Sequence, residues 1–132
     1  MSGQILVGCD VGLKRIGLAL YTQETILPMP AILRHNRDQA RHDLKIFLEN
    51  KRAVGLVVGL PNACYTDTRA RVQHFIEGLD FAPIFYVDED DSSAQAQERI
   101  FHLPYKQRQK ARKNGILDSL AACILLERYL GL

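Results

Sequence analysis

The 132-residue chain has no tryptophan and only three cysteines. Cys9, Cys64 and Cys123 form an odd set without paired spacing, which argues against a disulfide framework and suits a reducing compartment. All three are expected as free thiols, with Cys9 and Cys123 in the core. The four histidines (His35, His42, His74, His102) are scattered and none lies near a cysteine pair, so a zinc site is not expected. Long apolar runs are also missing. The longest, such as Val54 to Leu60 and Ala121 to Leu126, fall well short of the ~18 residues of a membrane helix, so no membrane partner is expected. No basic, apolar and small-residue leader pattern opens the chain, and the expected compartment is the cytoplasm. Neither internal repeats nor low-complexity segments are present, and no convincing Ser, His or Cys nucleophile motif stands out.

What is present is a globular balance, with 47% hydrophobic and 24% charged residues, at a length that suits one hydrophobic core and a single domain over residues 1–132. A net charge of +2 says little, but its distribution says more. Lys106-Gln-Arg-Gln-Lys-Ala-Arg-Lys113 carries five positive residues and no negative one, a local basic patch.

Ile5 to Asp10 reads as a buried strand ending in a carboxylate, and Arg15 to Tyr21 as its hairpin partner. Ile26 to Leu33 makes a third strand that Pro28 and Pro30 confine to an edge or an irregular piece. Ala40, Leu44, Phe47 and Leu48 recur at helical spacing behind Asn36, a good N-cap, so the spacing predicts a helix over 36–50. Val54 to Leu60 is a further strand, stopped by Pro61. Val72, Phe75, Ile76 and Leu79 mark a second helix capped by Thr66 or Asp67. Pro83 to Val87 is a strand running into Asp88-Glu-Asp-Asp91, after which Ser92 and Ser93 can cap a helix to about Phe101. The basic stretch then separates this from a last helix over about 114–130. A hairpin followed by alternating strands and helices predicts an α/β fold, a mixed five-stranded sheet with helices on both faces. In such sheets ligands collect beyond the carboxyl ends of parallel strands, where Asp10 and Glu89 are placed.

Each acid has a bland explanation. Asp10 could simply start a turn, Glu89 lies in a solvated acidic run, and Asp118 in the first turn of the last helix suits the helix dipole. Their combination points further. Carboxylates brought together repel unless cations sit between them, and such hard oxygen ligands suit Mg²⁺ or Mn²⁺. Two such ions can activate water for phosphodiester cleavage without a protein nucleophile. Asp10, Glu89 and Asp118 are therefore the candidate catalytic and metal-binding residues. Lys106, Arg108, Lys110, Arg112 and Lys113, with Lys14, Arg15, Arg69 and Arg71, are candidates for contacting nucleic acid phosphates.

Gly8-Cys-Asp-Val-Gly-Leu-Lys-Arg-Ile-Gly-Leu-Ala19 resembles the opening signature of the YqgF (RuvX-like) family of the ribonuclease-H-like superfamily. The resemblance continues, in the family's order and over nearly the whole chain, through Val57-Val-Gly-Leu-Pro61, Val87-Asp-Glu89, Asp118-Ser-Leu-Ala-Ala122, Ile124-Leu125 and Tyr129-Leu130. It implies a ribonuclease-H-like fold and a nuclease that matures the 5′ end of precursor 16S ribosomal RNA or, in an older reading, resolves Holliday junctions, with Asp10, Glu89 and Asp118 at the metal site. Two places depart from the family pattern. Asp90-Asp-Ser-Ser93 follows Glu89 where an Arg and a Leu-Thr-Thr stretch are usual, and Asn62-Ala-Cys-Tyr-Thr-Asp67 replaces a commonly Gly-rich loop.

The expected partner is nucleic acid, single-stranded precursor ribosomal RNA ahead of branched DNA, bound by a monomer or a homodimer. A junction resolvase requires a two-fold dimer, and a non-catalytic RNA-binding module is a third reading. An actin-like ATPase, which shares an Asp-x-Gly turn, needs a second such domain for which the chain has no room.

Overall fold

A computed structural model describes residues 3–132. In chain order it contains β1 (Leu6–Val11), β2 (Arg15–Thr22), β3 (Thr25–Leu33), α1 (Arg37–Lys51), β4 (Gly55–Leu60), α2 (Thr66–Glu77), β5 (Ile84–Asp88), α3 (Ser92–Arg99), α4 (Tyr105–Lys113) and α5 (Ile116–Leu130). The strands form a mixed five-stranded sheet in the order β3-β2-β1-β4-β5. β1 to β3 run as an antiparallel meander, while β4 and β5 lie parallel to β1.

Alternation along the strands sorts side chains onto two faces. Val7, Cys9, Leu56 and Val58 face α1 and α2, packing with Leu44, Leu48, Val72 and Phe75. Ala19 and Val57 face α5, meeting Ala122, Cys123 and Leu126. α3 covers the outer side of α5 through Ala96 against Ala121 and Ile124. Lying between a sheet and another helix, α5 buries an unbroken run from Ala121 to Leu126. This explains why its sequence has no polar stripe.

Asn36 caps α1 as expected, in a capping box in which the Gln39 N–H donates to Asn36 Oδ1 at 2.7 Å. β3 is an edge strand, and its prolines coincide with a register shift: Ile16 pairs with Ile32 but Leu18 with Met29. Other expectations need correction. Neither Thr66 nor Asp67 caps α2. Tyr65 holds the cap position without a side-chain bond, because Asn62 has already turned the chain by accepting the Cys64 N–H. Nor do Ser92 and Ser93 cap α3. Both lie inside it behind a left-handed Asp91, and Ser92 is buried. The basic stretch is no spacer but a helix, α4, with only Ala111 buried. α5 accordingly begins at Ile116 behind Gly115, whose φ of +84° ends the preceding turn.

Candidate active site

Asp10 stands at the carboxyl end of β1, directly opposite Gly17 of β2. The β1–β4 register, Cys9 against Val58, puts Gly59 next in line on the other side. The positions flanking Asp10 are thus bare, and both vacancies are used. A Cβ on Gly17 would fall 1.9 Å from the Asp118 carbonyl oxygen, so only glycine lets the start of α5 come this close. A Cβ on Gly59 would fall 3.0 Å from Glu89 Oε2 and 2.7 Å from Leu125 Cδ1. Glu89 follows β5 and is held there by its own N–H donating to the Leu60 carbonyl at 3.0 Å. Two glycines, a strand end and a helix start thereby bring the three predicted acids to one edge of the sheet.

The electrostatics fit that crowding. Burial pushes the Asp10 carboxyl up to about 7, and the neighbouring Glu89 and Asp118 charges add to the effect. The carboxyls of Asp10 and Glu89 are near enough for each to influence the other's ionisation, which favours a proton on Asp10. Glu89 is likewise raised by burial, and the Asp90 and Asp88 carboxylates push in the same direction. Asp118 is raised by burial, although the Arg15 guanidinium opposes the shift.

An all-oxygen set of this kind has the chemistry of a hard divalent site. Cys9 is no competitor as a ligand: it points to the opposite face, and burial together with the Asp10 and Glu89 charges keeps its thiol protonated. Among the described residues no three acid, histidine or cysteine side chains gather closely enough to hold a metal ion. Glu89 and Asp118 both act on Asp10 through their charges.

Residues 4–131 match the family model described as "RuvX: Holliday junction resolvase". The chain belongs to the RuvX family. Its relatives include a Helicobacter pylori (strain G27) protein, 52% identical over 126 residues, covering 95% of this chain and 94% of that protein. A Sulfurovum sp. (strain NBC37-1) protein is 42% identical over 131 residues, covering 96% and 98%. Both carry the name "Putative pre-16S rRNA nuclease". Among solved structures, T. thermophilus RuvC in complex with Holliday junction substrate superposes with a TM-score of 0.59 at 11% identity over 96% of this chain and 94% of that one. The fowlpox virus Holliday junction resolvase superposes with a TM-score of 0.57 at 12% identity over 96% and 99%. These likenesses establish the ribonuclease-H-like fold.

Around the acids of this RuvX chain the expected cations divide. Lys106, Lys110, Arg112 and Lys113 are exposed along α4, whereas Arg108 is half-buried with its guanidinium 5.7 Å from the Phe101 ring centroid. Lys14 is exposed in the β1–β2 turn, and Arg71 on α2 donates to Thr68 Oγ1. Arg15 donates to the Lys113 carbonyl and Arg69 to the Pro61 carbonyl at 2.9 Å, so both brace backbone near the site.

The two departures from the RuvX pattern meet in space: Asn62 Nδ2 donates to Asp90 Oδ2 at 3.1 Å. The acid that replaces the usual arginine is thus tied to the altered loop, while its charge falls on Glu89. Ser119 went unnoticed in the sequence. Its buried hydroxyl accepts the Leu18 N–H at 3.2 Å and donates to the Met29 carbonyl at 2.6 Å. It fills the register shift between β2 and β3 and fixes the residue beside Asp118. An isolated Ser next to an acid gives no sequence signal of this, because its partners lie 101 and 90 residues away.

Proposed function

We propose that this RuvX chain is a divalent-metal-dependent nuclease that processes precursor 16S ribosomal RNA in a single-stranded region. The observation that carries the reading is the placement of Asp10, Glu89 and Asp118 at the carboxyl edge of the sheet, where Glu89 and Asp118 are both in electrostatic reach of a buried Asp10. The ribosomal substrate is taken from the names of the relatives, which extend over almost the whole chain.

Asp10, Glu89 and Asp118 would hold the metal, one ion or a pair. Bound there, it would supply Lewis-acid activation of water and charge neutralisation at the phosphodiester. The protein's own part is positional. Asp10, raised by burial, would give up its proton, and Asp10 and Glu89 would offer oxygens from the ends of two parallel strands. Arg15 opposes the repulsion at Asp118. The exposed cations of α4 draw the phosphate backbone toward this edge.

A junction resolvase is the second reading, favoured by the family description and by a fold shared with resolvases. Labelled single-stranded 16S leader RNA and a four-way DNA junction, each incubated with Mg²⁺ or Mn²⁺, separate the two. The expected result is RNA cleavage that requires metal and is lost in Asp10→Asn. Junction cleavage alone, by a stable dimer, would replace the first reading with the second. RNA binding without turnover under either metal would leave a binding module.

A further inference from the structure

On the side of the β1–β2 turn away from the acids lies a cleft of about 570 Å³, inside the roughly 300–1,000 Å³ range of small-ligand sites. Its walls include Leu13, Arg34, Arg37, Arg71 and His74, and Phe75 contributes to its floor. None of its lining residues, all among those described, is acidic. Nor do Arg34, Arg37 and Arg71 have a carboxylate within ion-pair distance, the one such pair among the described residues being Arg99–Glu127. The cations come from three elements that all start or end at the edge bearing Asp10: the end of β3, the start of α1 and the first half of α2.

The cleft combines this uncompensated charge with flat and apolar surface. Leu13 is 73% exposed in the turn and lines the cleft. The Arg34 guanidinium lies 4.8 Å from the Phe75 ring centroid and donates to the Gly12 carbonyl at 2.6 Å, so the same side chain faces the cleft and braces the turn after Asp10. Burial and the nearby Arg41 disfavour its charge, a cost that an anion in the cleft would offset. Phosphate for the arginines and a base for the leucine and the guanidinium plane is the ligand chemistry that matches. Leu13 is three residues from Asp10, a chain reach of at most about 11 Å.

Building on the nuclease reading, we propose that this cleft binds a nucleotide of the single-stranded substrate beside the one at the acids, phosphate against Arg37 and Arg71 and base against Leu13. The strand then crosses the β1–β2 turn, with one segment on each side.

Binding without metal tests this apart from catalysis. Fluorescence anisotropy of a labelled single-stranded RNA ten-mer is measured against Asp10→Asn across a salt series. The same measurement is made with Arg37→Gln and Arg71→Gln added, and with Lys51→Gln and Arg52→Gln added at the far end of α1 as a charge-matched control. The cleft pair is expected to weaken binding at least about tenfold and to flatten the plot of log affinity against log salt by about 0.7, the share of one lost phosphate contact. The control pair should change little. Leu13→Ala should weaken binding without changing the slope. Equal losses in the cleft and control pairs, or none in either, would overturn the proposal. So would uridine monophosphate binding as tightly as the ten-mer, which would make the cleft a site for a free nucleotide. If the cleft pair fails this test while wild type still cuts RNA, the nuclease reading stands without the cleft. A cleft effect with no cutting by wild type would keep the RNA-binding cleft and overturn the nuclease reading.

Discussion

At the scale of single residues the site is a place where carboxylates are held against their preference. Asp10 is pushed up to about 7 from its ordinary 3.8. An acid raised in the folded state binds more protons folded than unfolded between those values, so its contribution to stability is full below about pH 4 and is lost as pH climbs toward 7. Glu89 and Asp118, also raised, act in the same direction. Urea denaturation in chelator from pH 4.5 to 7.5 should therefore show wild type weakening relative to Asp10→Asn, which should be the more stable protein at pH 7 and inactive. Parallel profiles would mean that Asp10 is not desolvated as described. Ser119 carries a structural load of another kind. Ser119→Ala leaves the buried Leu18 N–H and Met29 carbonyl without their shared hydroxyl, and is expected to cost about 1–3 kcal/mol, seen as a lower urea midpoint at constant slope.

At the scale of elements, the site depends on how closely α5 can lie on the sheet. Gly17→Ala would drive a methyl into the Asp118 carbonyl, and the helix cannot yield without moving its whole buried run. A loss of about 3 kcal/mol or more is expected, with cleavage falling further than stability predicts because Asp118 moves with the helix. Circular dichroism melts alongside activity at a temperature where the variant is folded would check this. Unchanged activity would show that α5 tolerates the shift. The same scale separates what was legible in the sequence from what was not. Asp10 and Glu89 could be read because each ends an apolar strand, and Asp118 because it begins an apolar helix. α4 could not, since nine residues with one buried alanine offer no hydrophobic period. The caps of α2 and α3 were hidden for a different reason. Asn62 and Asp88 start their turns before the hydroxyl residues are reached, the latter by accepting the Asp90 N–H at 2.9 Å.

At the scale of the whole molecule, the carboxyl edge of the sheet collects the acids on one side of the β1–β2 turn and unpaired arginines on the other, with α4 exposing more cations nearby. The order of strands and helices could be read from alternation and apolar runs. The convergence of Arg34, Arg37, Arg71 and His74 on one cleft could not, because residues from β3's end, α1 and α2 meet only in the folded chain. The pairing of Asn62 with Asp90 is of the same kind: two local departures from the RuvX pattern turn out to be one contact. Calorimetric titration of Mn²⁺ into wild type and each acid-to-amide variant tests most directly whether Asp10, Glu89 and Asp118 form a single divalent site. Saturable binding by wild type is expected, with proton release near pH 6.5 because the raised Asp10 carboxyl must lose its proton, and a large loss of affinity in each of the three variants. Mn²⁺ binding that survives Asp10→Asn and Glu89→Gln unchanged would contradict it.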